Sequence, residues 1–165
     1  MRRLYRLLVL GPLTAWAWQV QAEEPAAPAA LDPRVVGALQ AAGLTYGVDE
    51  GDFRLEFDFD ATRSQVVWVA SKTWKVEDYE IRDVWSVAAR GPGKVPTDLA
   101  SHLLTENARM VLGAWQVNQG ADEYLVVFSA SVPATVDADT LREVIEVVAL
   151  STDRIEKELG PTDEF

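Results

Sequence analysis

The stretch Phe53–Asp60, "FRLEFDFD", alternates apolar and polar residues without a break. Phe53, Leu55, Phe57 and Phe59 fall on one side of an extended chain, and Arg54, Glu56, Asp58 and Asp60 on the other. A period of two is the pleat of a strand; a helix would scatter the same residues around its circumference. A strand with one apolar and one charged face belongs to a sheet covered by a second layer on one side only, the situation antiparallel sheets tolerate. The rest of the chain must therefore supply partner strands and a cover for the phenylalanine face.

Partner strands follow directly. "DATR" turns the chain, and "SQVVWVAS", Ser64 to Ser71, reads as the other arm of a hairpin. "KTWKVED" is irregular. Tyr79 to Ala89 reads as a third strand with Tyr79, Ile81, Trp85 and Val87 in phase, which assigns Trp85 to the core; Asp83 breaks that phase and predicts a bulge or a wet patch. "RGPGKVP" breaks the chain. "AWQVN" and "EYLVVFSASV" are strands four and five, joined through "QGAD" and closed by Pro133, with Trp115 in the core.

Helices supply the cover. "LDPRVVGALQAAGL" has Asp32 as cap, Pro33 at the first helical position and Gly43 at the stop, with Val35, Val36, Leu39 and Ala42 along one side. A second helix is capped by Thr97 or Asp98 and runs through Glu106, with Leu99, Leu103 and Asn107 on one side and Ala100 and Leu104 adjoining. A long third helix opens at Asp137 or Asp139 and ends at Gly160-Pro161. Its stripe is Leu141, Val144, Ile145, Val148, Ile155 and Leu159, while Arg142, Glu143, Glu146, Glu156 and Lys157 stay outside. The reading is α+β: an antiparallel five-stranded sheet packed by helices, in the order α-βββ-α-ββ-α.

The first 22 residues, "MRRLYRLLVLGPLTAWAWQVQA", read as a cleavable signal peptide: Arg2, Arg3 and Arg6, then an apolar run from Leu7 to Trp18, then Val20 and Ala22 at the positions a signal peptidase reads. The run is interrupted by Gly11 and Pro12 and is short for a membrane span, so no stable anchor is expected after cleavage. "EEPAAPAA", residues 23–30, is a Pro/Ala-rich linker, and one domain occupies 31–165. A periplasmic or secreted location is expected. Cleavage removes three arginines and no acid, leaving 12 basic against 26 acidic residues and a formal charge of −14. Such a field repels phosphate backbones, so nucleic acid is not an expected partner.

Catalytic signatures are missing. There is no cysteine, hence no thiolate nucleophile, disulfide or lipoprotein attachment. The single histidine, His102, lies four residues before Glu106 on the second helix, where the two read as a surface pair. Glu56, Asp58 and Asp60 are strung along one strand face, which spreads carboxylates instead of converging them on a cation. No metal, no cofactor and no enzyme activity are expected. Asn107 reads as a helix terminator whose amide bonds backbone groups at the helix end. For Trp68 and Trp74 two placements stay open, core or exposed ridge. Trp74 lies between Lys72 and Lys75 and near Tyr79, which makes these four a candidate partner-binding group.

"DLASHLLTENARMVLGAW", then "EYLVVFSASVP", then "DADTLREVIEVVALSTDRIEKEL" resembles the pattern of the YbjN-domain proteins, which share their fold with type III secretion chaperones. The residues that carry the resemblance are Leu103, Leu104 and Asn107 at the end of the middle helix, Pro133 after the hairpin, and Asp153 and Glu156 near the end of the last helix. The resemblance implies a chaperone-like α+β fold that binds protein partners, often as a homodimer, and it carries no catalytic residues. Secretion chaperones act in the cytoplasm, whereas this chain reads as exported. The functional expectation is accordingly a non-catalytic periplasmic protein-binding module, regulatory or stress-related, that recognises an envelope protein or itself. The alternative is a small-ligand-binding sensor of the cell envelope.

Overall fold

The structure is a computed structural model, and it describes residues 30–160; the expected signal peptide and most of the expected Pro/Ala linker lie outside the described residues. Three helices pack on one side of an open antiparallel sheet of seven strands. In chain order these are α1 (Pro33–Ala41), β1 (Gly47–Asp49), β2 (Asp52–Asp60), β3 (Arg63–Val69), β4 (Trp74–Val76), β5 (Tyr79–Pro92), α2 (Thr97–Asn107), β6 (Ala114–Gln119), β7 (Glu123–Pro133) and α3 (Ala138–Leu159). The sheet order is β1-β2-β3-β5-β7-β6, and β4 pairs with β5 beyond the end of β3.

Two strands exceed the five expected. β1 and β4 are three residues long and exposed throughout, so no alternation marks them. Both are made by two-residue hairpins. Glu50 and Gly51 both take positive φ between Asp49 and Asp52, as a primed turn requires, and Glu77 does so between Val76 and Tyr79. β4 is in effect a continuation of β3: after the Ala70 N–H donates to the Asp83 carbonyl, Ser71–Thr73 leave the ladder and Trp74 rejoins it opposite Ile81.

The phase of β5 is the reverse of the expectation. Arg82, Val84, Ser86 and Ala88 face the helices and are buried, while Ile81, Asp83 and Trp85 sit on the other side. The small side chains on the helix side let α3 lie close against β5, and the bulkier aromatics are left to the uncovered side. Of the two alternatives at Asp83 the bulge falls elsewhere, with the register against β7 shifting between Val87 and Ala89, and the wet patch is what forms, on the side away from the helices. Asp83 stays in register, half-buried, accepting from the Ser131 hydroxyl at 2.6 Å. β5 runs on through Gly91 and Pro92, past the expected break, because the ring of Tyr124 on β7 lies where a Cβ on Gly91 would be.

α1 and α3 begin as read, with Asp32 accepting from the Arg34 N–H and Asp137 from the Thr140 N–H. α2 differs: Pro96 occupies its cap position and no side chain caps it. Burial on the covered side is deep. Phe53, Leu55, Val67, Val69, Val84, Phe128, Leu39, Leu141, Ile145 and Ile155 are at most 1 % exposed, and Trp115 joins them in the core. Each such apolar side chain contributes about 1.5–3 kcal/mol on leaving water. Leu159, placed in the stripe, is exposed. No helix among the described residues is long and apolar enough to cross a membrane.

Candidate functional site

The helix-covered side is closed electrostatically as well as sterically. Arg82 is 1 % exposed, and its guanidinium donates to Asp32 at 2.6 Å and to the carbonyl of Ala70 at 2.8 Å, where the pairing along β5 is interrupted between β3 and β4. Asp32 also accepts from Arg34, and the hydrogen bonds from Arg34 and Arg82 hold its carboxyl well below the usual carboxylate range. Arg34 reaches on to Glu80, whose carboxyl is lowered to about 2 by that bond and by the Thr73 hydroxyl.

Similar closure occurs along α3. Asp153 and Glu156 are buried and receive Arg63 from β3 at 2.7 and 3.0 Å. Burial pushes the Asp153 carboxyl up, but hydrogen bonds from Lys157 and Arg63 outweigh it and the net shift is downward. The Asp-x-x-Glu pair near the end of the last helix is thus a clamp on β3, and Glu156 corrects the expectation that it faces water. Glu106 corrects it likewise: it is 4 % exposed, held by Arg154 at 2.7 Å, with its carboxyl lowered by that bond. His102 accordingly pairs with Glu158 on α3 at 3.2 Å in place of Glu106. Leu103 is core, whereas Leu104 is 71 % exposed.

α2 ends at Asn107, as read, but the side chain bonds no backbone group of its own helix end. Its side-chain oxygen accepts from the Trp115 N–H at 2.6 Å and its amide donates to the Trp115 carbonyl at 3.1 Å, so it stitches α2 to the edge strand β6. Pro133 ends β7 opposite Ile81. These pattern residues, Leu104 apart, therefore serve the scaffold.

Among the described residues no element covers the other side of the sheet. Cross-strand partners share a face, so register alone assembles it: Trp68 opposite Trp85, Trp85 opposite Ser129, Asp83 opposite Ser131, Gln116 opposite Val127, Trp74 opposite Ile81. Trp68 and Trp85 stack, with ring centroids 4.5 Å apart and planes 9° from parallel. The Trp68 indole N–H donates to Asp49 at 3.0 Å. Beside this stack lies a trough of about 320 Å³. Trp74, Trp85 and Val127 give it apolar walls; Asp52, Asp83, Gln116, Asn118 and Ser129 give it a polar side. Two larger depressions, of about 610 and 500 Å³, lie at the β6–β7 turn around Gly120 and Glu123 and have no aromatic wall.

Of the four candidate residues, Trp74 and Lys72 both line this trough, and the Lys72 ammonium sits 4.4 Å from the centroid of the Trp74 ring. Trp74 is 53 % exposed, which resolves its placement in favour of the exposed ridge. Tyr79 is exposed on the same face through its pairing with Val76. Lys75 pairs with Glu80 and points to the opposite side, so it leaves the group. Asp52, Asp83, Trp85, Gln116 and Asn118 were not singled out as site residues. The polar phase of "AWQVN" against "EYLVVFSASV" was a usable signal for Gln116, Asn118 and Ser129. Among the described residues no group of three His, Cys, Asp or Glu side chains is placed to hold a metal ion; Glu56 pairs with Arg54 instead.

No family model matches the chain, and no curated protein matches it. Among solved structures, that of YbjN from E. coli aligns with a TM-score of 0.48 and 12 % identity, covering 76 % of this chain and 88 % of that one. At that distance no residue or role is carried from one protein to the other.

Proposed function

We propose that this chain is a non-catalytic protein-binding module of the cell envelope, exported by its N-terminal leader, that engages a partner through the uncovered face of its sheet. The observation that carries the reading is Trp74: a large aromatic, more than half exposed, standing over a trough with a second tryptophan in its wall. Aromatics of this kind anchor interfaces because they bury much area at little entropic cost. His102 is on the helix side of the molecule, bonded to Glu158 and away from the trough, where the Ser131 hydroxyl is engaged by Asp83 with no histidine beside it. The partner is an envelope protein or a second copy of the chain in a YbjN-like, chaperone-like module.

Affinity capture from envelope extract with the full chain, beside its Trp74→Ala variant, tests this. Proteins retained by the native chain and lost with the variant are expected; an identical set from both baits contradicts the proposal. N-terminal sequencing of the protein from its own host tests export. A chain beginning at Glu23 is expected, and retention of Met1–Ala22 overturns that part.

The volume of the trough favours a second reading, a small-ligand sensor, since ligand sites begin at roughly 300 Å³. Saturable quenching of tryptophan fluorescence by a metabolite, with no protein captured, would replace the first reading with this one.

A further inference from the structure

The trough on the uncovered face has the chemistry of a cation site. Two of its lining residues are carboxylates, Asp52 and Asp83, against one cation, Lys72. Each carboxylate is fixed by a single bond from the scaffold: Asp52 accepts from the Ser71 N–H at 2.8 Å and Asp83 from the Ser131 hydroxyl at 2.6 Å. Those bonds use one oxygen of each group, and the second oxygen accepts no hydrogen bond from the described residues. Between and beside them stand the rings of Trp74 and Trp85, one of which already carries an ammonium on its face, that of Lys72. The Trp74 ring is thus shown to accept a cation from within the chain.

We infer that this trough takes the guanidinium or ammonium group of an arginine or lysine side chain presented by the partner protein. The inference rests on the reading of the uncovered face as a protein-binding surface, and it names the chemistry of what is bound there. Charge complementarity decides the class: an anionic group would have to lie beside two carboxylates in a chain of formal charge −11, whereas a basic side chain meets them and the two ring faces together. Arginine is the better fit of the two, because its plane stacks on indole and its fork is weakly hydrated. Lys72 is then an intramolecular competitor, a cation that leaves the Trp74 face when the partner's arrives.

The test uses the full chain and a set of extended nine-residue peptides that differ only at the central position: arginine, lysine, citrulline or glutamate. Binding is followed through the indole N–H resonances of Trp74 and Trp85. The arginine peptide is expected to move both resonances and to bind about tenfold tighter than the citrulline peptide, which keeps the shape and loses the charge. Asp83→Asn, which preserves the acceptor for Ser131, weakens the arginine peptide about tenfold, and Lys72→Met strengthens it about threefold. Equal binding of the citrulline and arginine peptides overturns the inference, as does the absence of any shift with the arginine peptide at millimolar concentration. The reading beneath it fails separately, when captured envelope proteins prove indifferent to Trp74→Ala.

Discussion

The two faces of the sheet are built on opposite rules. Under the helices every charge brought inside meets its counterpart: Arg82 meets Asp32, Arg63 meets Asp153 and Glu156, and Glu106 meets Arg154. On the uncovered face Trp68, Trp74 and Trp85 stand half in water, and two carboxylates keep an oxygen apiece that accepts no hydrogen bond from the described residues. A buried charge left unpaired costs several kcal/mol, so the first face has no freedom to leave one open. The second face meets water, and spare hydrogen-bonding capacity there costs little. The difference separates scaffold from surface more sharply than hydrophobicity does, since three of the four described tryptophans, Trp68, Trp74 and Trp85, fall on the wet side and Trp115 alone is in the core.

Substitutions should divide along that line. Ile145→Ala removes apolar volume from the core at 0 % exposure and should cost about 2–4 kcal/mol. Arg82→Met takes from Asp32 one of its two guanidinium partners and removes the side-chain donor to the Ala70 carbonyl, and is expected to lower stability by about 1.5–3 kcal/mol in urea unfolding. A loss under 1 kcal/mol would mean that the covered face tolerates open charges after all.

Acid should act on the covered face first. The carboxyls of Asp32, Glu80, Glu106 and Asp153 are all lowered in the folded chain. Groups whose folded pKa lies below the unfolded one contribute stability that is complete above the unfolded value and is lost as pH falls through the folded value. For Glu80 that window runs from the ordinary 4.5 down to about 2. The thermal midpoint should therefore decline below about pH 4.5, and Arg34→Gln should flatten the decline. A midpoint independent of pH across this range would remove the ion pairs from the account of stability.

Trp74→Ala should change stability by no more than about 0.5 kcal/mol, the range of ordinary surface substitutions, while abolishing partner capture. A large loss of stability would make Trp74 a structural residue.

The sequence made the covered side easier to read than the open one. "FRLEFDFD" and the stripe of the last helix carry their burial in their own periodicity, so β2 and most of α3 are recoverable from pattern alone. β1 and β4 are too short and too exposed to show a period, and only the turn residues Glu50-Gly51 betray the first. β5 misleads for a physical reason: its heavier apolar residues face away from the helices, because close packing of α3 selects Ser86 and Ala88. Glu106 and Glu156 read as exposed because nothing local indicates the arginines, 48 and 93 residues distant, that draw them inward. The trough is gathered from five strands by register, and no single stretch supplies more than its Ala70–Trp74 corner.

The central claim concerns which face meets the partner, and oxidative footprinting tests it most directly. Side-chain oxidation would be compared between the purified chain and the chain inside intact cells of its own host. Protection of Trp74 and Tyr79 in cells, with Leu104 and Leu150 on the helix side oxidised equally in both, is the predicted result. Protection of Leu104 and Leu150, with Trp74 left open, would contradict it and move the binding surface to the helices.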